Sequence, residues 1–187
     1  MACVIDDVIG PFILKREVQP TVLWEELYAA TRDFGQRGTY IDAISAVNTA
    51  MWDIMGKHLG VPLCDLIGGA HRKTVATYGT GCYYRGGDVL DVEASIKTAV
   101  EEAKRILSQG FKVLKTKIGL LSIEDDARRI KAIRDAVGPD VQIGVDANHA
   151  YSVPIAARMA RLLEPLNVAF FEEPVVPEDL DGHARLR

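Results

Sequence analysis

The sequence predicts an α/β chain: the first four strands of a partial (β/α)8 barrel, preceded by a helical segment over residues 1–70. Three observations predict it. From Thr74 onward the sequence repeats strand, turn and helix at intervals of about thirty residues, the size of a βαβ unit. The runs Phe111 to Leu114, Val141 to Val145 and Val168 to Phe171 are short, mostly apolar and rich in β-branched or aromatic residues, as strands covered on both faces are. Where each run stops, charge begins: Lys115-Thr116-Lys117, Asp146-Ala147-Asn148 and Glu172-Glu173-Pro174.

In order along the chain, residues 24–31 and 41–58 are expected to be helical. The second segment is amphipathic, with Ile41, Ile44, Trp52 and Met55 among small alanines, and Gly60 and Pro62 stop it. Trp24 and Trp52 are expected in the core. In the repeat, Gly110 closes the first helix. Ser122 with Asp125 resembles a capping box opening the second, and Gly138-Pro139 ends it. Ser152 opens the third, with Pro154 in its first turn. Ile123, Ala127, Ile130, Ile133 and Val137 give the second helix an apolar face, and Arg128, Arg129, Lys131 and Arg134 are expected to face water. A complete barrel needs about 250 residues. The stretch from Thr74 to Arg187 accommodates four units, so the boundary is placed at 70/71 and the chain is read as a fragment truncated at its C-terminus.

The chain has 187 residues, 48% of them hydrophobic, enough to bury a core. A net charge of -4 without a basic stripe excludes a nucleic-acid binder. No apolar run of membrane-spanning length and no signal-peptide pattern is present, so a cytoplasmic protein without a membrane partner is expected. Cys3, Cys64 and Cys82 are widely spaced and are read as reduced structural thiols. Gly79-Thr80-Gly81 is too short for a nucleotide-binding fingerprint. His58, His71 and His183 are read as surface or helix-end residues.

The three clusters point to one site, because parallel strands of a barrel deliver polar side chains at their C-terminal ends. Lys115 and Lys117 share one side of a strand, with Cα atoms roughly 6.6 Å apart. Their repulsion, roughly 2.5 kcal/mol at an effective dielectric near 20, lowers one lysine toward a range where it accepts protons. Asp146 and Glu172 offer hard oxygen ligands that suit Mg²⁺ better than zinc. Asn148 shares the side of Asp146 and is expected to donate to a substrate carboxylate or carbonyl. Glu173 and His149 alternate away, Glu173 toward a structural ion pair.

Together with Ala50-Met51-Trp52-Asp53-Ile54-Met55-Gly56-Lys57 and Leu66-Ile67-Gly68-Gly69, these clusters resemble the enolase superfamily, mandelate racemase subgroup. The resemblance implies an α+β capping domain, of which residues 1–70 are the helical part, packed on the barrel begun by residues 71–187. It implies Mg²⁺ held by Asp146 and Glu172, Lys117 as the catalytic base, Lys115 as a catalytic, carboxylate-contacting partner that lowers its pKa, and Asn148 as a substrate contact. It also implies a lyase or isomerase, forming a homo-oligomer when intact, that acts on a small-molecule carboxylate. The stretch from Glu172 to Asp181, with Gly35-Gln36-Arg37-Gly38, favours members acting on a sugar acid or its lactone. The superfamily's enediolate chemistry uses a Lys or His base with Mg²⁺. The family's third metal ligand, its opposite-face acid or base and the sheet that opens the capping domain have no counterparts in these residues, so the fragment alone is expected to be inactive. Racemisation or epimerisation of a 2-hydroxy acid, a Schiff-base aldolase and a non-catalytic half-barrel are the alternatives.

Overall fold

The computed structural model describes residues 1–35, 37–84 and 91–187. Gln36, within the motif Gly35 to Gly38, lies outside the described residues. The chain forms two compact units, Met1–Thr74 and Val75–Arg187.

The first unit is helical among its described residues. A short helical stretch runs through Ala2–Val4, a π turn Ile5–Ile9 and Gly10–Ile13. Helix α1 covers Pro20–Thr31 and α2 Thr39–Leu59. Pro20 suits the first turn of α1 because its φ is preset and its missing N–H would have no partner there. Gly60, left-handed at φ 68°, ends α2 by donating to the Gly56 carbonyl. Ile9, Leu27, Ala43 and Ile44 form the buried core, with Trp24, Ile41 and Val47 packed against it. Asn48 Nδ2 donates to the Pro20 carbonyl at 2.8 Å and ties α2 to the start of α1. Both tryptophans are only half-buried: Trp24 packs against this core, whereas Trp52 is not among the residues that do, because Met51 takes the inward position and Trp52 sits about 100° round the helix from it.

The second unit is a four-stranded parallel sheet in the order β1 (Gly79–Thr80), β2 (Val113–Lys117), β3 (Gln142–Asp146), β4 (Phe170–Glu172). Helices α3 (Val92–Ser108), α4 (Ile123–Val137), α5 (Val153–Leu163) and α6 (Leu180–Leu186) complete it. Ser122 caps α4 as expected, its Oγ accepting from the Asp125 N–H at 3.1 Å. Asp91, unremarked in the sequence, does the same for α3 by accepting from Ala94 N at 3.0 Å. Ser152 opens α5 without a side-chain cap, and Pro154 lies in its first turn. One face of the sheet, with Leu114, Ile143 and Val145, packs on Ile130, Ile133, Met159 and Leu163. Burying each such side chain contributes about 1.5–3 kcal/mol. No helix among the described residues is long and apolar enough to cross a membrane.

The strands lie one to three residues later than their apolar runs suggested. Lys115, Thr116 and Lys117 belong to β2 itself, and Asp146 and Glu172 are the last residues of β3 and β4. Backbone pairing does not depend on side-chain polarity, and the ladder continues through the charged residues: Lys117 pairs with Asp146, and Asp146 with Glu172.

Gly144 meets Phe170 in register across β3 and β4. A Cβ there would stand 2.0 Å from Phe170 Cζ. Gly144→Ala is therefore expected to lower the stability of the intact protein by about 1–3 kcal/mol through overpacking. Phe170→Leu in the same chain should recover part of the loss of thermal midpoint; no recovery would show that the ring is not the obstacle.

Candidate functional site

The register row Lys117, Asp146, Glu172 brings three charged residues side by side on neighbouring strands, which in a sheet are about 4.8 Å apart. Two residues earlier on β2, Lys115 shares their side of the sheet. The side chains converge. Lys117 Nζ lies 2.6 Å from Asp146 Oδ2, and Lys115 Nζ lies 2.9 Å from that oxygen and 2.6 Å from Glu172 Oε2. Asp146 is buried at 2% exposure, and its other oxygen accepts from the Asn148 N–H at 3.0 Å. Tyr78 supports Lys115 from one side, its ring centroid 5.8 Å from the ammonium.

Carboxylates dominate the electrostatics. Burial alone would raise the Asp146 carboxyl, but the hydrogen bonds from Lys117, Lys115 and the Asn148 amide outweigh it and hold the group down at about 2. Burial works to lower Lys115, yet its bonds to Glu172 and Asp146 win and its ammonium is held above the usual lysine range. The spacing argument, which had ammonium repulsion setting the balance, is corrected for Lys115 in this arrangement: its ammonium bonds two carboxylates, and their pull outweighs the neighbouring lysine.

Asn148 is also not where strand alternation puts it. β3 ends at Asp146, and Asn148 and His149 both have positive φ, 43° and 64°. The two-residue alternation therefore stops, and both side chains turn to Glu173. Asn148 Nδ2 donates to Glu173 Oε2 at 2.8 Å, and His149 Nε2 lies 3.6 Å from the same oxygen. Glu173 itself sits at φ 48°. Its contacts are thus with loop neighbours, and His149 joins the group rather than pointing away.

The sequence also missed Asp126 and Arg129 on α4, both completely buried and directed at the end of β2. The expectation that the basic residues of α4 all face water holds for Arg128 and Lys131, which are exposed. It fails for Arg129. It fails also for Arg134, whose guanidinium binds the carbonyls of Gly138, Val141, Leu166 and Asn167 at the opposite ends of β3 and β4. The signal was available: 126, 130, 133 and 137 are spaced three or four apart, and 129 lies three from 126 and four from 133, so the two charges fall on the apolar stripe.

Asp146 and Glu172 fit a shared divalent cation in their donor chemistry. Both present oxygen, they are register neighbours, and their oxygens already converge on one positive charge, the Lys115 ammonium. Among the described residues no third acidic, His or Cys side chain completes a metal cluster. An open hollow of about 700 Å³ lies at the other ends of the strands, lined by Val75, Phe111, Lys112 and Asp140, and does not include the charged row.

Residues 2–68 match the model of the mandelate racemase / muconate lactonizing enzyme N-terminal domain, and residues 98–187 that of the enolase C-terminal domain-like family. The chain belongs to the enolase superfamily. Within the superfamily it is 46% identical over 183 residues to the arabinonate dehydratase of Saccharolobus solfataricus, covering 97% of this chain and 47% of that protein. It is 40% identical to the D-galactarolactone cycloisomerase of Agrobacterium fabrum, covering 100% of this chain and 48% of the relative. A crystal structure of a racemase from Streptomyces coelicolor with bound magnesium superposes with a TM-score of 0.87 at 32% identity, over 99% of this chain and 50% of that one. This enolase-superfamily chain thus spans about half the length of the curated relatives it matches, and its four parallel strands correspond to part of their barrel.

The carboxyl of Asp146 is held below its unfolded value, so it stabilises the fold fully above pH about 4 and loses that contribution as pH falls toward 2. In chelator, the intact protein is expected to lose about 2 kcal/mol across this window from Asp146 alone. Asp146→Asn should flatten that part of the unfolding curve; an unchanged pH slope in the variant would contradict the pairing.

Proposed function

We propose that the intact protein removes the proton α to the carboxylate of a sugar acid or its lactone and expels a β-oxygen. Lys117 is the base, Lys115 contacts the substrate carboxylate, and Asp146 with Glu172 holds Mg²⁺. The observation that carries the reading is the single row of Lys117, Asp146 and Glu172 at the ends of parallel strands, with Lys115 bridging the two acids. Mg²⁺ held by Asp146 and Glu172 would supply positive charge that acidifies the α-carbon of a substrate carboxylate.

The residues of this chain divide the remaining work. Lys117, 28% exposed against 11% for Lys115, is the ammonium with access to the mouth of the site. In its neutral form its Nζ takes the α-proton. The electron pair of the broken C–H bond forms the new double bond as the β-C–O bond breaks, and the departing oxygen keeps the C–O pair, leaving as a carboxylate from a lactone or taking up a proton to leave as water. Lys115, more deeply set between Asp146 and Glu172, keeps its proton and offers N–H to a substrate carboxylate oxygen. Asn148 is held off by Glu173, so a substrate contact from it requires that bond to open.

Similarity to an arabinonate dehydratase and a D-galactarolactone cycloisomerase supports the substrate class and the β-elimination. If the departing oxygen belongs to a lactone, the product is an isomer; if it is a free hydroxyl, water is lost. A small-molecule enzyme of the cytoplasm accords with both.

In full-length protein with Mg²⁺, Lys117→Ala is expected to abolish exchange of the substrate α-proton with D₂O while Mg²⁺ affinity stays near the parent value, because the lysine is not a ligand. Exchange at the parent rate would remove Lys117 from the mechanism. Product mass on aldonic and aldaric acids and their lactones separates dehydration from isomerisation, and pure stereochemical inversion would defeat β-elimination.

A further inference from the structure

We propose that Arg129, together with Asp126, is a positioning residue for Lys117: the pair clamps the turn that follows the lysine and so fixes where its ammonium stands in the site. The proposal rests on the reading of Lys117 as the base.

Arg129 is a fully buried guanidinium. One of its terminal nitrogens donates to the carbonyl of Lys117 at 2.8 Å. The other donates to the carbonyl of Cys82, which also accepts from the Thr116 hydroxyl at 3.0 Å. Its Cζ lies 4.4 Å from the centroid of the Tyr84 ring, and the Tyr84 hydroxyl donates to Asp126. The second oxygen of Asp126 accepts from the Gly119 N–H at 2.7 Å. Between them, the Ile118 N–H donates to the Asp146 carbonyl at 2.9 Å.

Three backbone groups that follow the Lys117 Cα are therefore each tied down: its own carbonyl to Arg129, the Ile118 amide to β3 and the Gly119 amide to Asp126. Gly119 completes the turn at φ 102°, where a Cβ would stand 2.6 Å from that of Ala150. The turn packs closely against the loop that follows β3 on that side. Lys117 reaches the site through four methylenes, so a displaced Cα moves the ammonium with it.

Stability is a poor explanation for this arrangement. A buried charge pair often contributes no more than a well-packed apolar pair of the same volume, because desolvation offsets the attraction. Arg129 bears a further cost, since its Nε is buried without a hydrogen-bond partner. What the guanidinium provides that an apolar side chain does not is a two-pronged hold on the carbonyls at the ends of two structural segments, 82 and 117. A base displaced by 1 Å can lose about 100-fold in rate.

The test uses full-length protein with Mg²⁺ and arabinonate or galactarolactone, following α-proton exchange in D₂O. Arg129→Lys keeps the charge but only one donor direction. Asp126→Asn combined with Arg129→Met removes both charges and leaves neither stranded. In each, kcat is expected to fall about 10–100-fold with KM within about threefold of the parent. Backbone deuterium uptake over residues 113–121 should rise at the same time. A folded variant with parent kcat, or a loss confined to KM, overturns the proposal. Failure of both variants to fold assigns the cluster to stability and overturns it as well. Lys117→Ala run alongside separates the two readings: exchange retained there defeats the base assignment, whereas exchange lost there and retained in Arg129→Lys defeats only the clamp.

Discussion

The carboxylate of Asp146 is the group around which the site is organised. It is buried, yet it accepts from two ammonium groups and a backbone amide, so every strand end near it is bound to it electrostatically or by register. An isolated carboxylate in that position would be expensive; without it Lys117 would be a partly buried cation lacking its counter-ion, and Lys115 would keep only Glu172. The acids and bases therefore stabilise one another in the absence of substrate. The same geometry leaves two oxygens on neighbouring strands facing one positive charge, the arrangement a divalent cation requires.

Helix α4 holds both ends of the sheet that carries the site. Arg129 grips carbonyls beside the end of β2, and Arg134, five residues later, grips four carbonyls around the starts of β3 and β4. Both reach backbone oxygens that the parallel ladder leaves unpaired where strands begin and stop. A guanidinium suits this work because its donors fan out in a fixed plane and its charge does not titrate. Packing of Ile130 and Ile133 on the sheet places the helix; the arginines on either side of them then fix its axial position relative to the strands.

Beyond the strands the local rules change within one residue. Asn148, His149 and Glu173 all adopt positive φ, a conformation that costs a non-glycine residue energy and is held by its surroundings. Here the surroundings are the backbone bonds His149 N to Glu173 O at 2.8 Å and Ala147 N to Glu172 O at 3.0 Å, which extend the β3 and β4 pairing into the loops. The result separates two acids adjacent in sequence: Glu172 faces Lys115, while Glu173 faces Asn148 and His149.

The sequence by itself determined the α/β order, the helix caps at Ser122, the stops at Gly60 and Gly138, and the set of residues at the strand ends, because these follow from periodicity, turn chemistry and the placement of charge after apolar runs. It also carried the family resemblance that the domain matches bear out. Tertiary structure alone decided the strand limits, since ladder pairing extends through Lys115, Lys117 and Asp146 whatever their polarity. It decided that Asn148 turns to Glu173, because alternation holds only while the backbone remains extended. It also decided the fate of Arg129: periodicity places that residue on the buried stripe, and only the approach of the Lys117 and Cys82 carbonyls makes burying a guanidinium there possible.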